Sequence, residues 1–508
     1  SMKQIFKPVA LLSLSSAIML ALPISNTAQA QVSAETLKSI SIPDKVETSI
    51  GKLEFFDGVP KDATVTAVYD NLDRMRGMEV FLDNVGAVSM YSVRKGLDEA
   101  GAKGANKIAV FEGLMDSQTL VVTANTSTLY AYTYTDLAVD GPTVIEVPPG
   151  MLGFLNDAWQ RFAGNIGVTG PDKGKGGKYL VLPPGYTGTV PNGYFLLKPT
   201  TNRNFLFLRG SIKDGLEPAV KNITTGLKVY PLKNAANPAP TEYINVSGKA
   251  FNTILPSDFT YFEDLNKLIQ EEPIEAISPE VRGAIASIGI VKGKPFTPDA
   301  RMKKLLTEAA TLGAATSRVI TYHPRIDGVN IYPDDPNSIW STAFANKNTS
   351  FESDGTIGLD ARVLYYFNAG GVTPAMATSH VGAGSDYALA VLDGNKQAFD
   401  GSKTYKLHLP PNVPVNDFWA VTLYDTQTRS QLQTSQKFPT LGSQSEGIQK
   451  NADGSYDLYF GPKPPAGKTG NWLATVPGKS WFTILRMYGP LEPWINKTWR
   501  PSGIELVK

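Results

Sequence analysis

The chain has 508 residues, no cysteine, three histidines, and 48 basic against 47 acidic side chains. The lack of cysteine excludes disulfides, thiolate nucleophiles and cysteine-ligated metals. The balanced charge, with no basic stripe, argues against nucleic-acid and polyanion partners. A chain of this length has room for two to three domains, each large enough to bury a core without covalent staples.

The first thirty residues read as a Sec-type signal. Lys3 and Lys7 precede and flank an apolar run that continues through Ile18-Met19-Leu20-Ala21-Leu22, and Ala28-Gln29-Ala30 is a small-x-small cleavage site. The run is short and broken by serines and prolines, so cleavage after Ala30 is expected rather than a retained anchor. The expected location is periplasmic or secreted, without stable membrane insertion. Beyond it, residues 60–84 have apolar positions at helical spacing (Val65, Val68, Tyr69, Leu72, Met75), and a second helix is expected over 88–100, stopping near Gly101. The character then changes. Residues 107–111, 119–122 and 143–147 alternate like strands, and Pro148-Pro149-Gly150 ends the last. Strands 179–182 and 194–197 flank a turn containing Asn192-Gly193, a strong hairpin signal. Residues 255–316 read as a helical insertion, with one helix from Ser257-Asp258 to Gln270 and another from Thr297-Pro298-Asp299 to Gly313. Strands return after about 385, with a hairpin at Asp453-Gly454.

The two β-rich halves look related. Tyr179-Leu-Val-Leu-Pro183-Pro184 is echoed by Tyr405-Lys-Leu-His-Leu-Pro410-Pro411, and Phe205-Leu-Phe-Leu-Arg209 by Phe482-Thr-Ile-Leu-Arg486. The expected fold is mainly β: two duplicated β-sandwich or jelly-roll domains with an N-terminal helical segment and a helical insertion. The expected division is a signal over 1–30, an N-terminal β domain with leading helices over 31–235, a helical connector over 236–320 and a C-terminal β domain over 321–508. The cleft between the halves is the default ligand site.

The motifs support a resemblance. Thr123-Ala-Asn125-Thr-Ser127-Thr128-Leu129-Tyr130, Gly141-Pro142, Asp157-Ala-Trp159, Gly177-Lys178-Tyr179 and Arg209 resemble the domain-of-unknown-function family 1254. Asp417-Phe418-Trp419-Ala-Val-Thr422-Leu423-Tyr424-Asp425, Asn471-Trp472-Leu473 and Arg486-Met-Tyr488-Gly-Pro490 resemble family 1214. The two families often occur in tandem in exported bacterial proteins, and the likeness spans roughly 50–235 and 355–505. The resemblance implies a pair of all-β domains with helical additions and no established reaction. The first family usually has an acid where this chain has Ser127.

Chemistry has few carriers. No Gly-x-Ser-x-Gly elbow exists, and Ser385 sits at the wrong spacing after Gly382-Ala-Gly384. No His-x-His, His-Glu-x-x-His or EF-hand spacing is present, so no metal or cofactor is predicted; a divalent ion on oxygen or histidine ligands is the alternative. His408 falls on the polar face of its strand, and His323 lies in a His-Pro turn. What remains is an aromatic, arginine and carboxylate set. Arg209 and Arg486 end equivalent strands and suit a carboxylate, sulfate or phosphate, while Tyr130, Trp419, Tyr424, Trp472 and Tyr488 could stack or hydrogen-bond. For a hydrolase of a small or amphiphilic anion, Asp425 or His380 would be the acid–base group and Arg486 the charge stabiliser. The alternatives are a non-catalytic binder of a sugar, lipid or aromatic acid, and a structural envelope protein in which the aromatics are core and the arginines are paired by local acids. The expected partner is a small molecule, and the sequence leaves a homo-oligomer open.

Overall fold

The computed structural model describes residues 31–508; the expected signal over 1–30 lies outside them. The chain divides into two compact units at Leu72 and Asp73. In the first, a short helix Ala34–Ser39 is capped by Ser33, and strands β1 (Lys45–Thr48), β2 (Gly51–Phe56) and β3 (Val59–Pro60) form an antiparallel meander. The unit boundary falls within a helix spanning Asp62–Asp83.

The second unit opens with the remainder of that helix, continues with helix Val85–Glu99 and then alternates strands and loops. In chain order the strands are β4 (Lys107–Val110), β5 (Thr119–Leu120), β6 (Leu129–Tyr134), β7 (Thr143–Val147), β8 (Met151–Asn156), β9 (Phe162–Gly167), β10 (Gly177–Val181), β11 (Phe195–Leu197), β12 (Phe205–Gly210), β13 (Lys228–Pro231), β14 (Glu242–Asn245) and β15 (Phe251–Asn252). After a helical stretch come β16 (Trp340–Ser341), β17 (Glu352–Ser353), β18 (Thr356–Ile357), β19 (Ser385–Ala390), β20 (Tyr405–Leu409), β21 (Val415–Asp425), β22 (Thr440–Gly442), β23 (Tyr456–Gly461), β24 (Trp472–Ala474), β25 (Trp481–Pro490) and β26 (Ile504–Leu506).

Each half pairs a larger sheet with a four-stranded one across a shared apolar core. In the first half the order β14-β4-β6-β12-β8-β9 faces β11-β10-β7-β13, and Leu129, Ala131, Leu206 and Leu208 meet Ile145, Tyr179 and Val181. In the second, β16-β19-β25-β21-β22 faces β24-β23-β20-β26, and Trp419, Val421, Leu485 and Met487 meet Leu407, Leu409, Leu458 and Phe460. Order and sense repeat strand for strand: β6 to β13 correspond to β19 to β26, down to the short parallel edge pairs β10–β11 and β23–β24. The topology therefore aligns Phe205–Arg209 with Phe482–Arg486 as the sequence suggests. It corrects the other match: Tyr405–Leu409 corresponds to β7, which is also followed by two prolines, and not to Tyr179–Val181.

The fold is mixed, 27% helical and 26% strand, rather than mainly β. Two helices, Leu216–Gly226 and Leu359–Asn368, were not expected, and the helix expected to end at Gly313 runs from Ala300 to Tyr322. Gly313 is not a stop. A Cβ there would lie 2.6 Å from the Phe81 ring, so the glycine lets two helices approach closely within the helical core of Phe81, Tyr261, Phe262, Leu306 and Ala309. Helices Val85–Glu99, Thr260–Glu271, Ala300–Tyr322 and Leu359–Asn368 pack together in this core, so the inserted stretch shares it with elements on either side in sequence.

Glu272 ties this layer to the first half. Its buried carboxyl accepts the backbone N–H of Asn202 (2.5 Å) and of Arg203 (3.0 Å). Burial pushes the carboxyl up from 4.5 to about 7 against those two donors. The folded state therefore holds the proton more tightly than the unfolded chain, and unfolding releases it. Stability contributed here is present below 4.5 and declines as pH rises to about 7. Denaturant titrations at both ends of that window should show wild type losing on the order of 2–3 kcal/mol relative to Glu272→Gln. Equal pH slopes in the two proteins would remove Glu272 as the source.

Candidate functional site

A cavity of about 460 Å³ lies between the two halves of the second unit. Its wall is built by strand alternation. On β6 the side chain of Ala131 enters the inter-sheet core, so Tyr130 and Tyr132 face the other way; on β12 Leu208 enters the core and Phe207 and Arg209 face out. On β25 Leu485 and Met487 are core, which turns Ile484, Arg486 and Tyr488 outward. Registers repeat here as well. Arg209 pairs with Tyr130 across β12–β6, and Arg486 pairs with Tyr387 across β25–β19. The two arginines thus occupy equivalent positions in the two halves, and both line the cavity with both tyrosines.

Arg486 is 5% exposed. It donates to Tyr424 Oη (2.7 Å) and to the Thr123 carbonyl (2.6 Å), and the Tyr424 hydroxyl donates to the Ala124 carbonyl (2.7 Å). Thr123 reaches its place in the left-handed region, at φ 46°, with its N–H on the Arg429 carbonyl. Arg209 is half-buried and pairs across the strands with Tyr130, with Tyr387 lining the cavity beside β12's counterpart strand. The Nε of each arginine is buried and has no hydrogen-bond partner among the described residues. Among the described residues no carboxylate pairs with either guanidinium, and the groups that act on them are tyrosines. Burial works against the charge on Arg486; the tyrosine hydroxyls, Tyr424 foremost, outweigh it and hold its pKa above the ordinary value. Burial likewise opposes the charge on Arg209, with Tyr387 foremost in the opposite sense, and its pKa too is raised. Two cations facing an apolar hollow without a counter-ion can do one chemical thing well, which is to receive an anion.

Of the residues singled out in the sequence, Tyr130, Arg209 and Arg486 come together on this wall, with Tyr424 directly behind Arg486. Tyr488 lies on the same face, stacked on Phe418 at 4.1 Å between ring centroids, and its hydroxyl is buried near Ser127. The others are elsewhere. Trp419 is buried between the sheets of the second half, and Trp472 donates its indole N–H to the Gly461 carbonyl at 2.8 Å. Asp425 closes a turn. It accepts from Gln427 N (2.7 Å) and pairs with Lys479 (2.8 Å); burial opposes its charge, but Lys479 and those donors hold its carboxyl below the ordinary value. His380 is exposed in the loop before β19, and His408 pairs with Asp457 at 2.7 Å on a half-exposed sheet face. Ser385 faces the Tyr387 hydroxyl at 2.9 Å.

The cavity lining also holds Tyr387, Asp386, Tyr332 and Asn368, which the sequence does not single out. Tyr387 was within reach, since aligning the repeat on Arg486 makes it the counterpart of Tyr130. Asn368 donates to Thr321 Oγ1 and the Leu364 carbonyl, leaving its buried Oδ1 without a partner. No group of three or more histidines and carboxylates among the described residues is placed to hold a metal ion, and no helix among them is long and apolar enough to cross a membrane.

Residues 105–231 match the family model described as protein of unknown function DUF1254, and residues 384–492 match protein of unknown function DUF1214. No curated protein matches the chain. Among solved structures, a protein from Vibrio parahaemolyticus is 18% identical with a TM-score of 0.48, covering 84% of this chain and 100% of its own. An uncharacterized protein from Burkholderia cenocepacia is 14% identical with a TM-score of 0.39, covering 88% of this chain and 97% of its own.

Proposed function

We propose that this chain, which carries a DUF1254 segment followed by a DUF1214 segment, binds a small amphiphilic anion whose charged group sits between Arg209 and Arg486. One observation carries the reading: two guanidiniums at equivalent positions of the two halves line one cavity, and no carboxylate among the described residues neutralises either. Leaving buried charge unpaired is costly, by several kcal/mol per ion in order of magnitude, so a bound anion is the natural complement. The cavity volume falls in the range of small-molecule sites, and its wall of tyrosine, phenylalanine and aliphatic side chains suits an apolar body.

The same geometry favours binding over hydrolysis. Asp425 is engaged with Lys479 in a turn, and His380 is exposed outside the cavity lining. A purely structural role would pair the arginines with local acids. Export to the periplasm, read from residues 1–30, belongs to the same proposal, as does the description of each half as a β-sandwich, supported by the two-sheet cores.

Calorimetric titration with 3-phenylpropionate and its neutral amide tests the reading. The acid is expected to bind and the amide to fail. Arg209→Met, at the more exposed guanidinium, is expected to weaken the acid by about 10- to 100-fold, the span of a charged hydrogen bond. Equal binding of acid and amide, or an Arg209→Met protein that binds as wild type does, would contradict it.

A further inference from the structure

The cavity has a second pole. Strand β16 pairs with β19 at Leu389 and Ala390, so among the described residues the first four residues of β19 have no strand neighbour on that side. Successive side chains of a strand point to opposite faces. The cavity wall includes both Tyr387, which sits with the guanidiniums, and Asp386, which points the other way, so the hollow wraps round this open edge.

At the Asp386 pole, Oδ2 accepts from Ser379 Oγ (2.7 Å) and from the Trp494 indole N–H (3.0 Å). Oδ1 has only a long contact from the backbone N–H of Tyr387 (3.3 Å) and retains accepting capacity. Tyr332, 3% exposed, lines the same cavity, and its hydroxyl has no hydrogen-bond partner among the described residues. Asp386 and Tyr332 line the same cavity, and the carboxylate, after Arg500, acts electrostatically on the tyrosine. A buried hydroxyl left unsatisfied in the same cavity wall as a carboxylate with spare lone pairs is an arrangement that a hydrogen-bonding ligand completes. The surroundings select the kind of group. Lys497 is in the same wall, while the Arg500 guanidinium, 4.4 Å from the Tyr332 ring centre, is paired with Asp334 at 3.0 Å, so an incoming ammonium would meet a lysine and a neutral hydroxyl would not. The cavity lining also includes the apolar side chains of Ile331, Phe344, Leu389 and Ile484.

We infer that the ligand is a hydroxy acid: an anion held by Arg209 and Arg486, an apolar middle, and a hydroxyl that donates to Asp386 and accepts from Tyr332. This rests on the anion-site reading above and adds the second recognition element.

The test titrates hexanoate, octanoate and decanoate, each beside its ω-hydroxy and ω-amino counterparts, into the full chain and into the Tyr332→Phe and Asp386→Asn variants. At the chain length that spans the poles, the hydroxy acid is expected to bind about tenfold more tightly than the parent acid, the worth of one good hydrogen bond. That advantage should vanish in both variants while the parent acid binds unchanged. Tyr332→Phe should melt as wild type does, because the hydroxyl it removes has no partner to lose. If the hydroxy acids bind no better than their parents at every length, or keep their advantage in both variants, the second pole is refuted and the anion site stands. A preference for the ω-amino acids refutes the choice of a neutral donor. Failure of every acid to bind refutes the anion site itself and this inference with it.

Discussion

Replacing Arg486 by alanine is expected to lower stability by about 2–4 kcal/mol and to abolish anion binding together. The guanidinium ties β25 of the second half to the Thr123 carbonyl of the first, and it also donates to Tyr424, whose hydroxyl reaches Ala124. Truncation leaves the Thr123 carbonyl short of a donor in a buried site and opens a void where the side chain lay. Two such losses at 1–3 kcal/mol each would give more, but removing an uncompensated buried charge returns part of the cost. Its two partners make Arg486 a binding residue and a cross-link at once. Arg209→Met is accordingly the cleaner probe of binding, because Arg209 is half-exposed and holds no backbone group in place. Urea unfolding of both variants checks this. Wild-type stability in Arg486→Ala would show that the link to Thr123 contributes nothing.

Gly153→Ala should be more damaging still, by about 4 kcal/mol or more. Gly153 lies in β8, paired with Leu208 of β12 on one side and Ile166 of β9 on the other. A Cβ there would press into the Phe207 carbonyl and lie 2.7 Å from Leu208 Cδ2 and 2.9 Å from Leu208 Cα. Two of these neighbours are backbone atoms of a central strand, which cannot rotate away. Relief requires β12 to move, and β12 carries Phe207 and Arg209, so anion affinity should fall with stability. Gly283, in the exposed helix Pro279–Ser287, has nothing within 4 Å of its would-be Cβ, and alanine there should be neutral or stabilising by up to about 1 kcal/mol. Similar losses at the two glycines would mean that the clash at Gly153 is not what decides.

The helices were readable where a 3.6-residue pattern ran long: those expected over 60–84 and 88–100 lie at Asp62–Asp83 and Val85–Glu99. Gly313 was misread because a glycine that admits a neighbouring ring and a glycine that ends a helix look alike in one dimension. The repeat was readable through Phe205–Arg209 and Phe482–Arg486, whose end arginines are distinctive. It was misaligned at Tyr405 because double prolines follow β7, Tyr179–Leu182 and β20 alike. Alternation along β21 separates Asp425 from Tyr424, and the same count places Trp419 with Val421 and Leu423 in the core. Tyr332, Asn368 and Asp386 were beyond reach for a different reason. They arrive from segments far apart in the chain, and the role of Asp386 depends on β16 leaving half of β19 uncovered, which no local pattern encodes.

The central claim is that Arg209 and Arg486 together hold an anion. Anomalous diffraction from crystals soaked in para-iodobenzoate tests it most directly. The expected result is an iodine peak inside the cavity with the carboxylate between the two guanidiniums. Iodobenzoate bound elsewhere, with both arginines bare and unchanged, would contradict it.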